Sequence, residues 1–361
     1  MVFLSFLLII MNNLMHPEVI LFSTPDIAPL AHNIQQKLVQ ILWDPIHHTS
    51  IDYDYFTDGA PKMIIPDSVR WKYAIILADL FNHLPNASGL TPSLNDKYMS
   101  TRGIVKTLKD FWADTINVVL PSFPYARDDK YDHNWCAETK KRKPNLANLA
   151  VTDMINDGAN NIITVDLHND ATFNRTSNTK FINLSVGWMF SHVIEKMWLD
   201  NNNIVLSGTD AGGKKKIEAI SKDLHINHIT TLKERDYTMD QKVERVAVYG
   251  DCEDKDVILY DDMIDTGGTM IQSIREIKSH WARSIHVIST HAMLHGDSEE
   301  KLEQLHQEGI IDSVSISDSI AHTDLPDRYH TISLDTLFAN TLSSLLNNQD
   351  INYNNWLSLS Q

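Results

Sequence analysis

Cysteine is scarce: Cys136 and Cys252 are the only two in 361 residues, which excludes a disulfide-stapled scaffold. Neither sits in a Cys and His set with metal-ligand spacing, so both read as structural or incidental, and a reducing, cytoplasmic setting is expected. Positive charge is also short. Lys and Arg number 31 against 47 Asp and Glu, a formal net charge of −16, and no extended basic face emerges. A general nucleic-acid binder is excluded on that ground, and any phosphorylated ligand must be drawn by local cations or a metal. Long apolar runs are missing as well. Val2 to Met11 is apolar, yet too short to span a bilayer, and no basic leader precedes it. Residues 1–17 are expected to form a tail, with Met11 or Met15 an equally good working start, and no membrane partner is expected.

What remains is the composition of a globular protein, 43% hydrophobic and 22% charged, long enough for two domains. The most informative stretch is Val257-Ile258-Leu259-Tyr260-Asp261-Asp262-Met263-Ile264-Asp265-Thr266-Gly267-Gly268-Thr269. An apolar strand runs into adjacent carboxylates, then into a loop of small residues ahead of a helical pattern from Met270 to Ser279. Gly267 and Gly268 allow a sharp turn that brings backbone N–H groups up to an anion. Thr266 and Thr269 add hydroxyls, and the helix start adds its dipole. Asp261 and Asp262 fall at the strand's carboxyl end, where open α/β sheets bind ligands. Read locally, the same stretch is also compatible with an ordinary strand-turn-helix junction.

Elsewhere the pattern repeats. Val19 to Phe22 reads as a strand before a helix from Ile27 to Gln40. Tyr55-Phe56-Thr57-Asp58-Gly59-Ala60 reads as a hairpin tip. The strand Ile116 to Leu120 leads to Tyr125-Ala126-Arg127-Asp128, where Arg127 is either an anion clamp or a surface arginine. A polar segment, Tyr131 to Arg142, reads as a mobile loop. Ile162 to Val165 delivers Asp166 and His168, an imidazole that either binds a ligand or is simply hydrogen-bonded. Asn203 to Leu206 leads to Ser207-Gly208-Thr209-Asp210, again strand, acid and glycines before a helix, a weak internal repeat. Ile229 to Leu232 carries Lys233-Glu234-Arg235, two cations able to close over a polyphosphate from a flexible segment. The run Leu334 to Leu346 reads as a helix that packs back on the fold.

These strings, in this order, resemble the phosphoribosyl diphosphate (PRPP) synthetase, or ribose-phosphate diphosphokinase, family across residues 19 to 346. The resemblance implies an α/β fold of two phosphoribosyltransferase-like (type I) domains with mainly parallel sheets. Their expected bounds are 18–185 on the ATP side and 186–333 with the ribose-5-phosphate loop, followed by a C-terminal helix and tail, 334–361. It implies transfer of the β,γ-diphosphate of Mg-ATP to the 1-hydroxyl of ribose 5-phosphate. It also implies roles: Lys233 and Arg235 catalytic, with Lys233 on a mobile loop; Asp261, Asp262, Asp265, Thr266, Gly267, Gly268 and Thr269 on ribose 5-phosphate; Phe56, Asp58, Gly59, Ala60, Arg127 and Asp128 on ATP; His168 and Asp210 on Mg2+. A homo-oligomer, dimer or hexamer, is expected, with no nucleic acid.

The chain departs from the family at several points. Ala60 stands where the hairpin normally carries an acid, Asp128 where glutamine is usual, and Asn169 to Lys180 replaces a glutamine and paired-phenylalanine segment. These changes fall on the nucleotide side and on regulation by ADP and phosphate. They leave open the same transfer to a larger ribose-5-phosphate ester such as ADP-ribose, a non-catalytic regulatory subunit, and a phosphoribosyltransferase that consumes PRPP.

Overall fold

The computed structural model describes residues 17–51, 53–86, 89–128, 144–169, 180–197, 199–236 and 243–351. The expected tail and the segment Tyr131 to Arg142 lie outside these residues, as does most of Asn169 to Lys180. Two compact units divide the chain. One runs to Leu184 and takes up the chain again from Ser333; the other runs from Ser185 to Ile332.

In the first unit, β1 (Val19–Ser23) leads through α1 (Ala28–Leu42) to β2 (His47–Ser50). A small hairpin follows, β3 (Tyr53–Tyr55) and β4 (Pro61–Met63). Then come β5 (Tyr73–Leu77), α2 (Leu94–Asp110), β6 (Thr115–Val119), α3 (Leu146–Asp157), β7 (Asn161–Val165) and β8 (Lys180–Leu184). The sheet order is β2-β1-β5-β6-β7-β8, and every pairing is parallel. Strands β1, β5 and β7 are buried along their whole length, which is why they read as unbroken apolar runs and not as alternating ones. β2, with the sequence His-His-Thr-Ser, is a partly exposed edge strand and carries no such run. Helix α2 starts on a capping box, in which Ser93 and Asp96 each satisfy the other's backbone N–H.

The second unit opens with α4 (Gly187–Lys196) and β9 (Ile204–Gly208), then α5 (Ala211–Leu224), β10 (Asn227–Asp236), β11 (Val243–Tyr249) and β12 (Asp256–Ile264). It closes with α6 (Gly268–Ser279), β13 (Ser284–Ala292), α7 (Ser298–Gln307), β14 (Ser313–Ser317) and β15 (Tyr329–Ile332). The order is β11-β10-β9-β12-β13-β14-β15, parallel except for the β10–β11 hairpin. From β9 the chain winds outward to β10 and β11, then returns on the other side of β9 as β12. The order therefore reverses between β9 and β12, and the carboxyl ends of those two strands flank the crevice where open sheets take ligands.

Close packing on this crevice is set by two glycines. A Cβ on Gly208, at the end of β9, would stand 2.9 Å from the carbonyl carbon of Gly213 in the first turn of α5. The absence of side chains lets helix and strand backbones touch. The last helix, α8 (Asp335–Leu346), packs against α1 and so belongs to the first unit, with Lys37 3.6 Å from Asp335. Among the described residues no helix is long and apolar enough to cross a membrane.

Because backbone atoms, and not a flexible side-chain tip, face Gly208, the substitution Gly208→Ala is expected to destabilise the protein by about 1–3 kcal/mol. Urea unfolding should show a lower midpoint at unchanged slope.

Candidate functional site

The site in the second unit is built from the carboxyl end of β12 outward. Tyr260 is fully buried and anchors the strand, with its ring 5.3 Å from that of Phe190 on α4. The next residues, Asp261 and Asp262, cannot both be comfortably ionised. Asp262 is 8% exposed, and Asp261, half-buried, accepts a hydrogen bond from Thr209 Oγ1 of the neighbouring strand at 2.7 Å. Desolvation, the charge of Asp262, a hydrogen bond shared between the two carboxyls and the nearby Asp210 together push Asp261 well above the usual carboxylate range. Thr209 acts in the opposite sense but is outweighed. Asp210 itself caps α5, one carboxylate oxygen accepting from Gly213 N at 2.8 Å.

After Ile264 the chain turns. Gly267 adopts φ +71°, a left-handed conformation that disfavours any side chain, and leads directly into α6 with no side-chain cap. The start of α6 has no side-chain cap, as is also true of α1, α4, α7 and α8; what sets it apart is the left-handed glycine turn ahead of it, which leaves room for an anion at its first N–H groups. Thr266 and Gly268 are exposed, and nothing lies within 4 Å of where a Gly268 Cβ would be.

The turn is braced by a second loop, just after β13, which no local pattern connects with it. Ile264 O accepts from Met293 N at 2.8 Å and from Leu294 N at 3.0 Å, and Asp265 O accepts from His295 N at 3.0 Å. The His295 imidazole Nδ1 lies 2.5 Å from Asp265 Oδ1. Ser298, at the start of α7, is fully buried against the space a Gly267 side chain would fill.

Lys233 and Arg235 lie on β10, not on an irregular loop, paired across the hairpin with Val246 and Glu244 of β11. Residues 237–242 between the two strands are outside the described set. Register fixes where this hairpin stands. Thr230 pairs with Gly208 and Gly208 with Tyr260, so Lys233 is three residues beyond the level of Tyr260, about 10 Å along the strand direction. It lies two strands to the side of β12. The hairpin therefore overhangs the carboxyl edge of the sheet from which the glycine turn also emerges.

The remaining candidates lie in the first unit. Phe56, Asp58, Gly59 and Ala60 form the tip of the β3–β4 hairpin, all exposed, closed by Phe56 N to Ala60 O at 2.8 Å and Ala60 N to Asp58 Oδ1 at 3.0 Å. Phe56 is 55% exposed, with Lys62 Nζ 5.8 Å from its ring centroid. Arg127 is exposed at the turn that follows β6, and Asp128 N donates to Tyr125 O at 2.7 Å. His168 is exposed just beyond β7.

Known proteins share this layout. A family model described as the N-terminal domain of ribose phosphate pyrophosphokinase matches residues 19–150, and one for the phosphoribosyl synthetase-associated domain matches 209–355. The ribose-phosphate pyrophosphokinase of Ureaplasma parvum is 26% identical over 303 residues, 84% of each chain. That of Mycoplasma genitalium is 27% identical over 341 residues, 90% of this chain and 92% of its own. The crystal structure of phosphoribosylpyrophosphate synthetase from Mycobacterium smegmatis superposes with a TM-score of 0.75 at 24% identity, covering 92% of this chain and 99% of that one, a likeness of fold.

The acid pair makes a signed prediction. Asp261 holds its proton more tightly folded than unfolded, so its contribution to stability is full below the ordinary carboxylate range and is lost as pH rises through the raised native value. Replacing Asp262→Asn removes one of the charges that raise it, and 13C carboxyl NMR should find Asp261 ionising at lower pH than in the parent.

Proposed function

Because the chain belongs to the ribose-phosphate pyrophosphokinase family, we propose that it transfers the β,γ-diphosphate of ATP to the 1-hydroxyl of ribose 5-phosphate, giving PRPP and AMP. The anomeric oxygen forms a bond to the β-phosphorus. The bond from that phosphorus to the α–β bridging oxygen breaks, AMP leaves on that oxygen, and the hydroxyl proton passes to solvent. Such a transfer asks mainly for in-line positioning and charge neutralisation.

The observation that carries the reading for the second unit is the left-handed Gly267 turn that opens the start of α6, at the carboxyl end of the strand that bears the crowded pair Asp261 and Asp262. Thr266 to Thr269 would receive the 5-phosphate on backbone N–H groups, while Asp265 shapes the loop. Asp261 and Asp262 would accept from ribose hydroxyls, donors that ease the repulsion between them. Lys233 and Arg235, carried by the hairpin over the same edge, would stabilise charge growing on the transferred group. In the first unit, the open face of Phe56 suits a stacked adenine. Asp58 and Gly59 set the tip that would present it, Ala60 leaves room at its side, and Arg127 and Asp128 would meet the phosphates of ATP. Exposure of that whole tip supports a homo-oligomer, dimer or hexamer, in which a neighbouring copy uses it. A cytoplasmic setting follows from a soluble nucleotide substrate.

Among the described residues no group of three or more His, Cys, Asp or Glu could hold a metal ion by itself, so magnesium would arrive as an ion borne by the triphosphate. In the second unit Asp210 would offer it oxygen, and in the first His168 would offer an imidazole suited to contact through water or phosphate. When bound it neutralises the phosphate oxygens.

With ATP and magnesium, ribose 5-phosphate is expected to drive AMP release, and ADP-ribose to give little; the reverse ranking would overturn the assigned acceptor. Lys233→Ala should lower turnover about 100- to 1,000-fold, the scale for removing one donor of a charge-stabilising site, with ribose 5-phosphate affinity nearly unchanged. Equal loss of both would contradict the role given to Lys233.

A further inference from the structure

The strands of the first-unit sheet all start at one end, and that end carries aromatic side chains that its core does not use. Trp71 stands two residues ahead of β5 and Trp112 three ahead of β6, and Trp71 N donates to Trp112 O at 2.8 Å, so the two loops meet. Trp71 is 68% exposed, Trp112 54%, and Phe111, just past the end of α2, 62%. The Arg70 guanidinium lies 4.5 Å from the centroid of the Trp112 ring. Both tryptophans take left-handed backbone, φ +61° and +63°, a conformation that strains a bulky residue where glycine would sit free. Strain borne by large side chains that face solvent points to a contact made there.

A segment of matching character enters at this place. β1 lies between β2 and β5 in the sheet, and its first residue, Val19, pairs with Tyr73. Glu18 O accepts from Tyr73 N at 2.9 Å, and the Glu18 carboxylate is paired with Lys72, the neighbour of Trp71. The chain ahead of β1 therefore comes in beside Trp71. Trp43, 87% exposed where α1 ends ahead of β2, stands on the other side of the same entry. Six residues, Asn12 to Pro17, separate Glu18 from Val2 to Met11, a stretch without a charge in which Ser5 alone is polar. Extended, six residues reach roughly 20 Å, enough to lay that stretch across Trp71, Phe111 and Trp112.

We propose that Val2 to Met11 dock on the aromatic patch of Trp71, Phe111 and Trp112 of the same chain. Each of the two apolar surfaces needs cover, and the short connection makes their meeting intramolecular, at an effective concentration on the order of millimolar. A second copy or a lipid surface would have to compete with that.

The test is amide hydrogen exchange, read by mass spectrometry on peptides covering residues 2–11 of the full chain, for the parent and for Trp71→Gln/Trp112→Gln. Exchange there should be slowed at least about tenfold in the parent relative to the double variant, at every protein concentration and without lipid. Both tryptophans are exposed, so Tm should hardly move. A second measurement alters the other partner and leaves the patch intact. Leu8→Asp/Ile9→Asp should raise acrylamide quenching of tryptophan fluorescence in the parent and leave it unchanged in Trp71→Gln/Trp112→Gln. Equal exchange in parent and double variant, or quenching unmoved by the charges at positions 8 and 9, overturns the proposal. Protection that appears only as protein concentration rises would give the patch to a second copy, and protection that appears only with phosphatidylcholine vesicles would give it to a membrane surface; either result overturns it as well.

Discussion

A backbone conformation is the constraint on which the site depends. At Gly267 the chain takes φ +71°, and this single left-handed residue lets β12 pass into α6 without a capping side chain. Any other residue would carry a penalty of about 1–2 kcal/mol for that conformation. Here its Cβ would also come to 3.4 Å from that of buried Ser298. The strand behind it is fixed by the fully buried Tyr260, and the helix ahead by Met270, Ile274 and Ile277 in the core. A helix start reached through such a glycine turn can offer its first N–H groups to an anion.

Around that turn the structure concentrates negative charge, which is unexpected for a site that receives phosphate. Asp261 and Asp262 share a hydrogen bond, Asp210 adds to their field, and Asp265 sits at the turn itself. Three of these four acids have a hydrogen-bonding neighbour: Thr209 for Asp261, the α5 N-terminus for Asp210, His295 for Asp265. Sugar hydroxyls and a divalent ion would both relieve this crowding of negative charge. Binding energy from the ribose and its phosphate is then available for ordering the catalytic groups.

Local chemistry was legible in the amino-acid sequence; pairing between distant segments was not. The string from Val257 to Thr269 was legible as strand, turn and helix because an apolar run, two glycines and a helical pattern follow one another there, and β12, the Gly267 turn and α6 lie on those residues. The second such unit, ending in Asp210, was visible for the same reason, although the need for Gly208 and Gly213 comes from a helix–strand contact no local pattern displays. His295 was missed because its partner lies 30 residues earlier and only the β12–β13 register brings them together. Lys233 and Arg235 read as part of a flexible segment since their neighbours are polar, yet antiparallel pairing with Val243 to Val246 extends β10 through them. Edge strand β2 escaped notice because His47 to Ser50 has no apolar run, and the return of α8 to the first unit depends on packing against α1.

The most direct measurement is a crystal structure of the full chain with ribose 5-phosphate bound. The 5-phosphate should lie within hydrogen-bond distance of the backbone N–H groups of Thr266 to Thr269, with the ribose hydroxyls on Asp261 and Asp262. A sugar phosphate seated elsewhere, with the Gly267 turn empty or closed by Asp265, would contradict the assignment of this turn as the cradle.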